Sequence, residues 1–271
     1  MRRTVWAVLG VLMAAALVAA QSQPAQPKPA PSRPPASPAA PPAPTPYGPG
    51  ERLTYDVTWS SMLTAGTMTV TTHDRRPSFG ATAFYITAEG KPTGLVAALY
   101  PVYYKADTLL ETTTLLPQRG SLYSDEKGRR RYRIAQFHQA KRSVHYELQS
   151  TDPVKVLSQS DLPAARAHDA LSVVFALRTM NLAPGASTLI PVLVNGHVYQ
   201  VLMKVEARER VRCGLGEVDA WRIAPTLVDE RDQQDGRDMV VWISDDARRL
   251  PVKMQGELPL GAFVLTLTGT S

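Results

Sequence analysis

The sequence predicts a mainly β domain, β-rich α+β in class, in which a curved antiparallel sheet or open barrel wraps on one long helix. Three observations carry this. Beyond residue 47 the apolar residues recur with a period of two, which is the signature of half-buried strands. An Asn195-Gly196 pair separates two apolar runs, the composition of a tight hairpin turn. The stretch 169–182 (DALSVVFALRTMNL) is apolar nearly all round, so as a helix it needs sheet to cover it.

The elements follow in order. In 51–59 (ERLTYDVTW), Leu53, Tyr55, Val57 and Trp59 share one face, with Arg52, Thr54, Asp56 and Thr58 on the other. The runs 65–73 and 81–89 continue the alternation, rich in Thr, which suits a pleated surface. Residues 93–100 fit one short helix before Pro101, and a strand at 102–110 follows. A hairpin over 129–148 turns at 139–142. It places Phe137, Ala135, Val144, Tyr146 and Leu148 on one face, and Gln136, His138, Ser143, His145 and Glu147 on the other. The helix over 169–182 starts at a capping Asp169 and stops at Pro184-Gly185. In the hairpin 188–205, a type I′ turn at Asn195-Gly196 sets Val194 against His197 and Val192 against Tyr199. Both of its faces are apolar, so each meets something dry. Further strands are expected at 217–227, 238–244, 248–255 and 262–268, about a dozen in all by their alternation.

Ahead of this domain, 1–20 reads as a secretory signal. Arg2 and Arg3 precede an uncharged apolar run, and Val18-Ala19-Ala20 offers small residues for cleavage. That directs the protein out of the cytoplasm, to the periplasm or cell envelope, and membrane contact is expected only if the segment stays uncleaved. Residues 21–46 form a Pro/Ala-rich spacer: the segment 21–50 holds 12 of the 23 prolines, which favour an extended polyproline-II chain. Residues 47–271 then make a single domain, with no internal repeat or second linker.

Composition removes several functions. The formal charge is +6, but Arg2, Arg3, Lys28 and Arg33 supply four of those charges before residue 47, so the balance gives no reason to invoke nucleic acid. The single Cys213 excludes an intrachain disulfide framework and any multi-cysteine metal site; beside Gly214 in a turn it reads as an inert thiol. No nucleophile elbow, P-loop, zincin motif or dinucleotide fingerprint occurs. No enzyme activity, metal or cofactor is therefore expected. His138, His145 and Glu147 share a face on which a metal would find ligands, but a solvated polar surface explains them without one. The stretch 229–238 lacks the spacing of a calcium loop and reads as a hydrophilic connection.

Two groups of cations remain. The stretch 127–133 (KGRRRYR) reads either as a charged edge strand that discourages aggregation or as an anion site. On the second reading Arg131 and Arg133 share parity with Phe137 and stand at the rim of the apolar face. Arg178 lies in the apolar helix and needs a partner, Asp169 or Asp245 being the carboxylates expected, or else serves an anionic ligand.

The order of GERLTYDVTW, Ala65-Gly66, DALSVVFALR, VWISDDARRLPVKM and a closing amphipathic strand resembles the DUF-3108 family of bacterial exported proteins of unknown function, over almost all of 48–268. The resemblance implies a β-rich extracytoplasmic fold, comparable by analogy with the lipoprotein-carrier type of sheet, and no catalytic residues. Many relatives carry a lipid-modified cysteine; here position 21 is Gln.

The resulting expectation is a non-enzymatic envelope protein that binds a lipid or acidic glycan on a concave apolar face. Tyr55, Val57, Trp59 and Phe137 are the candidates for that face, with Arg131, Arg133 and Arg178 for an acidic group. The alternative is an assembly or scaffolding factor that binds another envelope protein through strand edges. A hydrolase with convergent polar groups ranks third. An enclosed apolar pocket distinguishes the first from the second, which needs a flat patch or free edge.

Overall fold

The computed structural model describes residues 44–59, 63–228, 239–258 and 261–271. The signal reading, most of the spacer and the 229–238 connection fall outside the described residues. Among the described residues the first eight strands are β1 (Arg52–Trp59), β2 (Leu63–Ser78), β3 (Ala81–Pro92), β4 (Val102–Glu111), β5 (Pro117–Glu126), β6 (Arg129–His138), β7 (Ser143–Thr151) and β8 (Val154–Pro163). A two-residue strand, β9 (His168–Asp169), precedes β10 (Ser187–Val194), β11 (His197–Cys213), β12 (Gly216–Val228), β13 (Val240–Ser244), β14 (Pro251–Leu258) and β15 (Gly261–Thr270). All fifteen join in one sheet in the order β8-β7-β6-β5-β4-β3-β2-β1-β15-β14-β13-β12-β11-β10-β9, which is open, with β8 and β9 at its edges.

Most neighbours in the sheet are also neighbours in sequence, as short hairpin connections require of antiparallel strands. Two joints depart from this. The first and last strands pair, Val57 against Leu265, and join the two halves of the meander. The strand β9 runs parallel to β10, Val192 against His168, after the chain has crossed over from β8. The connection between these two parallel strands holds a helix.

Two α-helices occur among the described residues, α1 (Gly94–Leu99) and α2 (Ser172–Thr179), with one 3₁₀ turn at Gln139–Lys141. The first stands where the short helix was expected. The second is 8 residues, not the 14 of the expected long helix, and this corrects the sequence reading. Asp169 belongs to β9 and pairs with Leu193, while Met180 is already extended (φ −76, ψ 157), so both ends of the apolar run are spent on other conformations. A run that is apolar on every side carries no phase from which its helical limits can be read.

Val173, Phe175 and Leu177 of α2 pack into a core with Leu53, Tyr55, Phe84, Ile86, Ile223, Ile243 and Leu267. A second, smaller core joins Ala135, Phe137, Val144 and Tyr146 of the β6–β7 hairpin to Leu193 of β10. The β10–β11 ribbon thus feeds both: Ile190, Val192 and Val194 enter the first core, Leu193 the second. This is the two-faced burial its sequence calls for. Its register, Val194 against His197 and Val192 against Tyr199, and its positive φ at Asn195 (47°) and Gly196 (80°) are those of the expected turn.

The stretch 127–133 does not form an edge. It runs into β6, which pairs with β5 on one side and β7 on the other, Arg133 facing Leu122 and Leu148. The edge reading failed because β5 (PQRGSLYSDE) has no apolar alternation to announce it. The exposed edge is β8, whose sequence is equally silent and most of whose residues face solvent.

Candidate functional site

The concave side of the sheet is set by parity. Tyr55 faces Met68 and Val70 faces Ala88, and Ala88, Ala106, Leu122, Arg133 and Leu148 face one another in turn, with Tyr146 facing Ala135 on the same side, so residues of one parity line this side across β1 to β7. The helix α2 and the turn before it lie over this side. Packing between a short helix and a broad curved sheet is incomplete, and it leaves space. One cavity of about 70 Å³ is lined by Leu53, Tyr55, Met68, Val70, Phe175 and Met254, among others. Its lining is almost wholly apolar. The Tyr55 hydroxyl donates a hydrogen bond to the carbonyl of Pro251, another lining residue, at 2.9 Å, and burial raises its pKa far above the usual phenol range.

A second cavity, also about 70 Å³, adjoins the first; Ala106, Ala170 and Leu171 belong to the walls of both. Leu122, Ala135 and Leu193 continue its apolar wall, but Arg133, Tyr146, Asp169 and Asn195 bring polar groups to it. The tip of the β10–β11 hairpin closes it on one side, with Gly196 against the Tyr146 ring: a Cβ at 196 would lie 2.9 Å from that ring. Arg133 is held by the Ser124 hydroxyl at 3.3 Å and by the Tyr146 side chain. No carboxylate within ion-pair distance neutralises it among the described residues.

Asp169 stands where three elements meet. Its Oδ1 accepts the backbone N–H groups of Leu171 (2.9 Å) and Ser172 (2.7 Å), which caps α2. Its Oδ2 accepts the Thr108 hydroxyl of β4 at 2.8 Å. The neighbouring strand must carry glycine here, since a Cβ on Gly120 would lie 2.8 Å from that same oxygen. Enclosure raises the carboxyl pKa, and the hydrogen bonds from Ser172, Thr108 and Leu171 oppose that rise. His168 beside it is buried, with Nδ1 3.3 Å from the Ser172 hydroxyl. Burial and the Arg166 charge push its pKa down to about 4.

The four residues expected on one apolar face and the three arginines expected to meet an acidic group lie in several places. Tyr55 lines the first cavity, and Val57 is packed in the main core beside it. Arg133 borders the second cavity. Phe137 belongs to the smaller core. Arg131 shares the concave parity but lies two residues further toward the strand end. Trp59 is 36% exposed at the end of β1, its ring stacked on Phe263 at 6.1 Å. Arg178 is an internal pair. Its Nη1 and Nη2 hold Glu51 Oε2 and Oε1 at 2.6 and 2.7 Å, and further donors go to the carbonyls of Pro46, Arg248 and Arg249. The partner is therefore neither Asp169, whose oxygens cap α2, nor Asp245, which accepts from Trp221 and Arg208.

The polar face weighed for a metal is dispersed: His145 bonds Asp161 at 2.8 Å, Glu147 accepts from Gln149, and His138 pairs across the strands with Ser143. Among the described residues no three His, Cys, Asp or Glu side chains converge on a metal-sized site. Sequence reasoning missed Tyr146 as a cavity wall, along with Ala106, Ala170 and Leu171. Small residues give no pattern, but the register of the 129–148 hairpin already set Tyr146 beside Ala135.

A family model described as a protein of unknown function (DUF3108) matches residues 54–268. Two solved structures are similar. One is a β-barrel-like protein of a domain of unknown function, DUF1849, from Brucella abortus (10% identity, covering 82% of this chain and 96% of that one, TM-score 0.46). The other, with a YmcC-like fold and named as an exported protein, is from Bacteroides fragilis NCTC 9343 (9% identity, 84% and 98% covered, TM-score 0.31). No curated protein matches the chain. Among the described residues no helix is long and apolar enough to cross a membrane.

Proposed function

We propose that this chain, which belongs to the DUF3108 family of unknown function, is an exported, non-enzymatic binding protein for an envelope lipid or a lipid-linked acidic glycan. The observation that carries the reading is the pair of adjacent cavities, apolar at the Tyr55 end and bordered at the other by Arg133, which has no ion pair among the described residues. An amphipathic anion matches that polarity: its apolar end fits against Leu53, Met68 and Phe175, and its acidic group reaches Arg133. Size limits the fit. Pockets for whole small molecules start near ~300 Å³, so each cavity accepts only the end of an alkyl chain as it stands. A full-length ligand needs the β10–β11 tip to move off Tyr146.

The test is native and denaturing mass spectrometry of the chain purified from an exporting host. A stoichiometric lipid or glycolipid released on denaturation supports the reading. A clean protein that takes up no lipid on re-exposure overturns it.

The assembly-factor reading has its own support in β8, an open edge with Val154 and Val156 exposed. Against it stand Lys155, the flanking Pro153 and Pro163, and a register shift against Leu148/Gln149, which are the devices that discourage further pairing. Crosslinking in the same host separates the two readings, because a strand-edge partner is captured only through β8.

A further inference from the structure

A basic, aromatic surface stands at one end of the sheet. The strands β1, β3 and β5 end there, at Trp59, Pro92 and Glu126, and β2, β4, β6 and β15 begin there, because antiparallel partners alternate in direction. The helix α1 crosses this end between β3 and β4 and leans on β2, with the Thr93 N–H bonded to the Ala65 carbonyl at 3.1 Å. Leu99 at its last turn is 69% exposed and the following Tyr100 46% exposed. Trp59, stacked on a half-buried Phe263, completes the apolar part.

Cations surround these rings. The Lys127 ammonium sits 4.6 Å from the centre of the Tyr100 ring, and its backbone N–H bonds the Pro101 carbonyl. Arg129 and Lys91 are exposed alongside, and Arg131 follows two residues on. None of these four has an ion pair among the described residues. The acidic residues at this end are fewer than the cations: Asp125 pairs with Arg130 at 3.0 Å, Glu126 keeps its charge while accepting the Tyr104 hydroxyl at 3.0 Å, Asp152 lies at the β7–β8 turn, and Glu257 stands in β14 opposite Ala262. Burial first, then the like charges of Arg129 and Arg133, lower the pKa of Arg131, and the Glu126 charge opposes them.

We infer that this end of the sheet docks on the surface of an anionic lipid bilayer, with Trp59, Leu99 and Tyr100 at headgroup depth and Lys91, Lys127, Arg129 and Arg131 against lipid phosphates. Tryptophan and tyrosine rings settle where one side is apolar and the other wet, and lysine and arginine beside them reach anionic headgroups. The contact is made by the folded domain and needs no retained leader segment. It goes beyond the cavity reading and stands without it, although a bilayer docked here would present lipid to the concave side.

The test uses the full chain with phosphatidylcholine vesicles carrying brominated acyl chains, with and without phosphatidylglycerol. The chain has 4 tryptophans, so the readout is the quenching lost in Trp59→Phe relative to wild type. Quenching of Trp59 is expected on the anionic vesicles and not on the neutral ones. Lys127→Glu and Arg129→Glu should each lower vesicle affinity roughly five-fold or more, an effect that raised salt also produces. Leu99→Asp should weaken binding without changing the circular dichroism spectrum. If Trp59→Phe fails to fold, an environment-sensitive dye on Leu99→Cys in a Cys213→Ser background replaces it, with a blue shift on anionic vesicles expected. A chain that sediments with vesicles while Trp59 stays unquenched and the dye unshifted binds through another segment, which overturns the inference. Equal quenching on neutral vesicles overturns its electrostatic half. Because no cavity ligand is read out, failure here is distinct from failure of the lipid-carrier reading.

Discussion

Arg178→Leu leaves Glu51 without its partner inside the protein and the carbonyls of Pro46, Arg248 and Arg249 without their donor. Breaking a buried pair from one side costs about 3–5 kcal/mol, and denaturant unfolding should show a loss of that order. His168 and Asp169 respond to pH in opposite senses. The folded pKa of His168 lies below its unfolded 6.5, at about 4, so its contribution is complete above pH 6.5. It is lost as pH falls through that window, by about 3 kcal/mol at most. His168→Gln should flatten the slope between pH 6.5 and 4. For Asp169 the folded pKa is raised above the unfolded 3.8, so the native state holds its proton longer and stability falls as pH rises above 3.8. Asp169→Asn keeps an oxygen for the Leu171 and Ser172 donors and should be tolerated at neutral pH. Asp169→Ala loses the cap and should cost about 1–2 kcal/mol in the same unfolding measurement.

At the scale of elements the β10–β11 hairpin is the piece most exposed to a single change. Gly196 has φ of 80°, and a Cβ there meets Tyr146 at 2.9 Å, so Gly196→Ala strains the turn and pushes on the smaller core together. A loss of about 1–2 kcal/mol is expected, with raised hydrogen exchange confined to 190–200 and to Tyr146's strand. The faces and turn of the hairpin over 129–148 and the Val194–His197 and Val192–Tyr199 pairs of the hairpin over 188–205 were legible, because one apolar alternation and one turn decide a hairpin locally. The helix over 172–179 was legible in kind but not in length. Neither β5 nor β8 was legible: polar strands are held by ladders to their neighbours, and the neighbours are distant in the pattern.

For the molecule as a whole, the site was half legible. Parity brought Arg133 to the concave side and Tyr55 to the interior, and each borders one of the two adjacent cavities. The same parity could not tell that Phe137 belongs to a separate core, since that depends on where the sheet bends back onto β10. Ala106 lies in the wall of both cavities, so Ala106→Val should fill space at their junction. If the cavities bind lipid, uptake measured by mass spectrometry falls sharply in this variant while the circular dichroism spectrum is kept. An unchanged uptake would place the ligand elsewhere.

By itself the sequence determined the class of the fold, the phase of most strands, the hairpin registers and the need of Arg178 for a carboxylate. These rest on contacts between near neighbours, or on the cost of burying a charge alone, and both are written in local pattern. Only the tertiary structure decided that Glu51 answers Arg178, that Asp169 joins helix, strand and sheet, and that β1 closes on β15. Those pairings span from 61 to more than 200 residues of chain, and one sheet parity admits many distant partners until the whole sheet has curved around its helix.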